Sequence, residues 1–282
     1  MPDLGDLGVV ETARLATSGE RSAREVTDEA LARIDRLDRR FNAFTVVLAD
    51  AARAEADERD AASARGETPG PLHGVPVAIK EEIDVAGCVT TFGGRSNTTP
   101  VTADAELVRR LRAAGAVVVG KTAMPEFGSF PFTESEATGY TLNPWDVARS
   151  PGGSSGGSAV AVATGMVPVA IGGDGGGSIR VPSSFCGLFG LKPQRGRVST
   201  APHPHLWWAL GVVGPLTRSV FDSALVNDVI RGNLPTDLFR ADGDEPFVGA
   251  ASREPGRLRV GWSLAVPSLG VRLDARPRGR GA

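Results

Sequence analysis

Apolar residues recur at helical spacing in the first quarter of the chain and give way to short unbroken apolar runs after it. Residues 24–40, REVTDEALARIDRLDRR, place Val26, Ala30, Ile34 and Leu37 on one face with charges opposite, which predicts an amphipathic surface helix. The alanine-rich polar stretch 50–64 predicts a second helix, closed by Gly66 and the turn-forming TPGP of 68–71. The period then changes. VPVAIK (75–80) predicts a short buried strand, AELVRRLRAAG (105–115) a helix and AVVVG (116–120) another strand. SAVAVATGM (158–166) predicts an apolar helix, PVAIGG (168–173) a strand, and SIRVPSSFCG (178–187) a helix starting after a glycine loop. FDSALVNDVIRG (221–232) and RLRVGWS (257–263) continue the alternation. Helix alternating with strand predicts an α/β fold with a parallel sheet. The last twelve residues, VRLDARPRGRGA, lose periodicity, carry four arginines against one aspartate, and read as a disordered basic tail.

Composition narrows the partners more than the fold. A length of 282 residues with 41% hydrophobic and 23% charged side chains suits one large or two ordinary globular domains. A net charge of −2 gives no electrostatic case for nucleic acid or an anionic membrane, so a small ligand is expected. Cys88 and Cys186 make neither a metal spacing nor a disulfide framework, and three histidines add little ligand capacity, so no metal or cofactor is expected and a cytoplasmic location fits best. The opening MPDLGDLGVVETARL carries Asp3 and Asp6 without a basic start or an apolar run, unlike a secretory signal. The charge-free stretch between Arg149 and Asp174 has the length of a membrane span, but its first half is Gly and Ser, and Gly165 and Pro168 interrupt the rest.

Three patterns bear on chemistry. GAVVVGKT (115–122) fits the phosphate-loop pattern G-x-x-x-x-G-K-[ST], yet its variable positions are themselves the predicted strand, which places Lys121 at a strand end. GGSSG (152–156) fits the nucleophile-elbow pattern, but no strand precedes it and the later His203 and His205 sit in the proline-broken APHPHL. The third is GGDGGGS. Gly175, Gly176 and Gly177 leave room for an approaching carbonyl and let successive N–H groups point into one cavity, and Ser178 follows at a predicted helix start. On this stretch alone Ser178 reads equally as a nucleophile or as the N-cap of a tight turn. A base other than histidine is available in Lys80, at the end of VPVAIK. Burial of its stem would disfavour the ammonium and make it a proton acceptor, while a strand-end lysine reaching out to water is the other reading.

Read together, these residues resemble the amidase signature family. GGSSGGSAVAVATGMVPVAIGGDGGGSIRVPSSFCGLFGLKP (152–193) is similar to its defining segment, and LHGVPVAIKEEIDVAG (72–87) and LRAAGAVVVGKTAMPEF (111–127) are similar to the stretches before it. The resemblance implies a mixed, largely parallel sheet covered by helices on both faces, with N-terminal helices over about 9–64, a catalytic core over about 70–232, a partial domain over 1–266 and a basic tail over 267–282. It implies a Ser-cis-Ser-Lys triad of Ser178 as nucleophile, Ser154 as bridging serine after a cis peptide, and Lys80 as base. Oxyanion donors would come from Gly175, Gly176, Gly177 and Ser178, with Ser155, Asp174 and Arg180 in support. The implied activity is hydrolysis of a linear, non-peptide carboxylic acid amide to acid and ammonia or amine, with a small-molecule substrate and room for a homodimer. Trp207 and Trp208 are candidates for lining an acyl pocket. The alternatives are the glutaminase subunit of a tRNA-dependent amidotransferase and an inactive remnant, because family members run well beyond residue 282 and the C-terminal portion of the fold is expected to be missing. Two departures stand out: Gly173 and Gly175 where the family more often has threonine or isoleucine, and Glu81-Glu82 where it commonly has Asp-Asn.

Overall fold

The computed structural model describes residues 3–203, 207, 210–241, 243, 245–259 and 261. The chain divides into two compact units, Met1–Ser252 and Arg253–Ala282. In the second, residues 253–259 and 261 are described and form neither helix nor strand. The strand expected over 257–263 is therefore absent from its described part, and its other positions lie outside the described residues, as do 267–282.

The first unit carries α1 (Val9–Ser18), α2 (Ala23–Phe41), β1 (Phe44–Val47), α3 (Ala49–Ala64), β2 (Pro76–Lys80), α4 (Glu106–Ala113), β3 (Val117–Thr122) and a small hairpin of β4 (Glu134–Ser135) and β5 (Gly139–Tyr140). It continues with α5 (Gly156–Ala163), β6 (Val169–Asp174), α6 (Arg180–Cys186), β7 (Phe189–Gly190), β8 (Val212–Thr217), α7 (Val220–Ile230) and α8 (Phe247–Ala251). The main sheet runs β1-β3-β2-β6-β8-β7. Its centre, β3, β2 and β6, is parallel, and β1, β8 and β7 join antiparallel. The mixed α/β sheet is thus as expected, with its parallel part confined to the three central strands.

Strand alternation explains the layers. Val77, Ile79, Val118, Val169 and Ile171 face one core with Leu107, Val108 and Leu111 of α4 and Val226 and Ile230 of α7. The alternate positions Ala78, Val117, Val119 and Ala170 face the other, packed on Leu31 and Ile34 of α2, Ala52 and Ala56 of α3 and the apolar α5. Helices therefore cover both faces. The start of α2 is fixed by a capping box, in which Ser22 accepts from Glu25 N and the Glu25 carboxylate accepts from Ser22 N. Where α5 crosses the sheet, a Cβ on Gly157 would fall 2.5 Å from Ala43 O and Ala123 N, so glycine sets how closely that helix seats.

β1 and β8 went unread in the sequence for identifiable reasons. β1 is a half-exposed edge without clean alternation. β8 contains Gly214 and Pro215, residues that argue against an interior strand, but β7 covers only Leu216 and Thr217 on its outer side, leaving an edge at the proline. No described helix is long and apolar enough to cross a membrane.

Candidate active site

The site gathers at the C-terminal ends of two adjacent parallel strands, the end of an open α/β sheet where crossing loops leave a crevice. β2 ends in Lys80 and β6 in Asp174, and the two strands pair through Val77–Val169, Ala78–Ala170 and Ile79–Ile171. Ser154 and Ser155 stand at the entry to α5, whose run into β6 returns the chain to the same end of the sheet. One cavity is lined by Lys80, Glu82, Ser154, Gly175, Ser178 and Trp207, among others. The structure thus brings together three residues separated by long stretches of sequence.

Lys80 is 1% exposed, and its Nζ donates to Ser154 Oγ at 2.7 Å. This excludes the reading of a strand-end lysine reaching for solvent. Its surroundings are not simply apolar, however: Glu82 Oε1 lies 3.0 Å from Nζ. The Gly153–Ser154 peptide is cis. Ser155 ties the two serine segments together, donating its backbone N–H to Ser178 O and its hydroxyl to Gly173 O, both at 3.2 Å. Thr133 Oγ1 donates to Gly152 O at 2.9 Å and accepts from Gly156 N at 3.1 Å, bracing the turn that carries Ser154. That role for Thr133 had no signal in the sequence, since it depends on a loop from elsewhere in the chain.

Ser178 lies two residues ahead of α6, a shorter and later helix than the 178–187 expected. Its side chain makes no hydrogen bond among the described residues, so the N-cap reading does not hold, and the hydroxyl faces the shared cavity half-buried. Asp174, fully buried at the end of β6, organises the glycine loop. Its carboxylate accepts from Gly177 N at 2.7 Å, Ile179 N at 3.2 Å and Arg180 N at 3.3 Å, and from Arg180 Nε and Nη2, each at 2.9 Å. Burial presses the Asp174 carboxyl upward, but the Arg180 guanidinium and the Gly177 and Ile179 N–H groups outweigh it and hold it below its ordinary value. Gly177, expected among the oxyanion donors, therefore spends its N–H on Asp174. The N–H groups of Gly175, Gly176 and Ser178 donate to no acceptor among the described residues. The Trp207 ring lies over Gly175, about 3.3 Å from where a Cβ would stand, whereas Trp208 is outside the described residues.

The competing patterns separate cleanly. The GAVVVGKT amides are bound into β3, which pairs with both β2 and β1, and Lys121 is fully buried, bonded to Val89 O at 3.1 Å and 3.5 Å from Glu81 Oε1. His203 Nε2 lies 3.1 Å from Asp84 Oδ2, a bond that raises its pKa above the ordinary imidazole value, and His203 is not among the residues lining the serine cavity. His205 is outside the described residues. Among the described residues no three His, Cys, Asp or Glu side chains are grouped to hold a metal ion.

Known proteins resemble this chain over most of its length. The family profile described as Amidase matches residues 25–272. AmiB2 of Mycobacterium tuberculosis, named as an amidase, is 51% identical over 266 residues, covering 94% of this chain and 56% of the relative. A glutamyl-tRNA(Gln) amidotransferase subunit of Prochlorococcus marinus is 45% identical over 257 residues, covering 90% of this chain and 53% of the relative. Among solved structures, a 6-aminohexanoate cyclic dimer hydrolase complexed with substrate superposes with a TM-score of 0.84 at 38% identity, covering 92% of this chain and 54% of that one. The chain spans about half the length of the curated relatives it matches. A sheet of this topology, a serine segment of this sequence and a match across most of the chain lead to one conclusion: the protein belongs to the amidase family.

Proposed function

We propose that the protein hydrolyses a carboxylic acid amide to the acid and ammonia or an amine through an acyl-enzyme on Ser178. The observation that carries this reading is the buried hydrogen bond from Lys80 Nζ to Ser154 Oγ at 2.7 Å, in a cavity also lined by Ser178, whose hydroxyl has no hydrogen-bond partner among the described residues. Neutral Lys80 takes the Ser154 proton while Ser154 takes that of Ser178, whose oxygen attacks the carbonyl carbon. The free N–H groups of Gly175, Gly176 and Ser178 receive the oxyanion, and losing one such donor typically costs about 10²–10³ in rate. The proton then returns from Lys80 through Ser154 to the leaving nitrogen, and water releases the acid. The indole of Trp207 forms one wall for the acyl group. The reading takes the substrate to be a small linear amide and the protein to be cytoplasmic, with room for a homodimer and no need of a cofactor.

The test is a fluorophosphonate, which labels an activated serine without requiring the substrate, followed by peptide mass spectrometry with a full-length relative treated in parallel. The expected adduct is on Ser178, and Ser178→Ala and Lys80→Ala should each abolish labelling and amide turnover. Labelling that survives either substitution would remove the triad assignment. An unlabelled chain beside a labelled relative would favour a catalytically inactive remnant. The 45% identity to an amidotransferase subunit supports a second reading, glutaminase, which ammonia release from glutamine by protein that also labels would favour.

A further inference from the structure

If Lys80 takes a proton from Ser154, a positive charge forms on Nζ in a sealed position, and the group behind Nζ decides how easily it forms. That group is Glu82. Its Oε1 is 3.0 Å from Nζ, and the two side chains are 6% and 1% exposed. Ser154 Oγ lies 2.7 Å from the same nitrogen, so Nζ is held between a hydroxyl and a carboxylate. The other ionisable groups of this neighbourhood are already matched: Glu81 with Lys121, Asp174 with Arg180, and Asp84 with His203.

The space for this carboxylate comes from β6. A Cβ on Gly173 would fall 2.0 Å from Glu82 Oε1 and 3.1 Å from its Cδ, with Val212 O the next neighbour at 3.7 Å. Gly173 has no left-handed φ, so its backbone does not require glycine. Room for the Glu82 carboxylate does. Two positions far apart in sequence thus meet here.

We propose that Glu82 is a positioning residue for Lys80, aiming Nζ at Ser154 and compensating the ammonium as it forms, with Gly173 keeping open the space its carboxylate occupies. The inference rests on the amidase reading above. Glu82 would do for the lysine what the aspartate of a Ser-His-Asp triad does for its histidine: hold the base and balance its charge without taking the proton. In acylation the bond from Ser178 Oγ to the carbonyl carbon forms and the C=O π pair moves onto oxygen. The Ser178 proton passes to Ser154 and the Ser154 proton to Lys80. On collapse the C–N bond breaks and Lys80 returns the proton through Ser154 to the leaving nitrogen.

The experiment is fluorophosphonate labelling of the full chain at several probe concentrations, which separates the maximal rate constant from the half-saturating concentration. Glu82→Gln and Gly173→Ala should each lower the maximal rate constant about tenfold or more while leaving half-saturation within about twofold. Gln keeps a polar neighbour without the charge, and the new methyl at 173 displaces the flexible carboxylate while leaving it in the protein. In a Glu82→Ala background, Gly173→Ala should change the rate constant by less than about twofold, because nothing remains for the methyl to displace. Should Glu82→Ala fail to fold, Glu82→Asn, whose shorter side chain clears position 173, serves as the background. Wild-type rate constants in Glu82→Gln and Gly173→Ala would overturn the inference. So would a Gly173→Ala penalty that persists without Glu82, since it would place the effect in the glycine loop. If the wild-type chain does not label, the amidase reading falls and this inference with it; if it labels and the variants match it, only this inference falls.

Discussion

Asp174 and Arg180 form one ion pair but do unequal work. Asp174 is sealed and accepts three backbone N–H groups of the serine loop, while Arg180 is 53% exposed and touches that loop only through Asp174. Removing the carboxylate's charge weakens every one of those bonds, whereas an exposed guanidinium can be replaced in part by water. Asp174→Asn should therefore lower the Ser178 labelling rate at least about tenfold further than Arg180→Ala, with both measured side by side; equal losses would mean that the guanidinium holds the loop. At this scale the sequence was partly legible. Lys80, Ser154 and Ser178 could be picked out as candidates because each sits in a run that resembles a stretch of the amidase signature family. The duty of Gly177 could not, because whether its N–H faces a substrate or Asp174 Oδ1 depends on how the loop closes. Nor could the contact of Glu82 with Gly173, which arises from a strand folded beside it.

The elements were legible where periodicity was strong. α2 and α3 fall within a residue or two of their expected limits, and β2, β3 and β6 do likewise, because a charged face or an unbroken apolar run marks them. Within α4, Glu106 shows how a local pattern carries energy. It is 8% exposed in the first turn and bonded to Arg109 and Arg110 at i+3 and i+4, and those guanidinium bonds hold its pKa to about 2 against an ordinary 4.5. The folded state thus keeps Glu106 ionised where the unfolded chain would protonate it, so its contribution is complete above pH 4.5 and drains away as pH falls towards 2. Glu106→Gln should lower the melting temperature at pH 7, with a deficit that narrows as the pH drops below 4.5. A deficit independent of pH would assign the loss to packing. The later start of α6, at Arg180 instead of Ser178, arises because Pro182 has no N–H to give Ser178 O, which accepts from Ser155 N instead.

Across the whole molecule, the sheet both stabilises the fold and places the chemistry, and the two roles can be separated. Ile171 in β6 is fully buried in the core shared with α4 and α7 and points away from the serines. Ile171→Ala should cost about 2–5 kcal/mol, seen as a lower urea midpoint, yet leave the labelling rate of the folded protein within about threefold. A rate loss in step with the stability loss would show that the site tolerates no relaxation of β6. The sequence by itself determined the class of the fold and the family, because alternating apolar runs and a distinctive glycine-serine segment are local properties. Through the same resemblance it offered candidates for nucleophile, bridge and base. Only the tertiary structure decided which strands flank the parallel centre, that the ends of β2 and β6 meet, that Lys80 points inward to Ser154 with Glu82 behind it, and which loop N–H groups stay free. Those are pairings between segments far apart in sequence, set by packing and hydrogen-bond closure, and no window of neighbouring residues contains them.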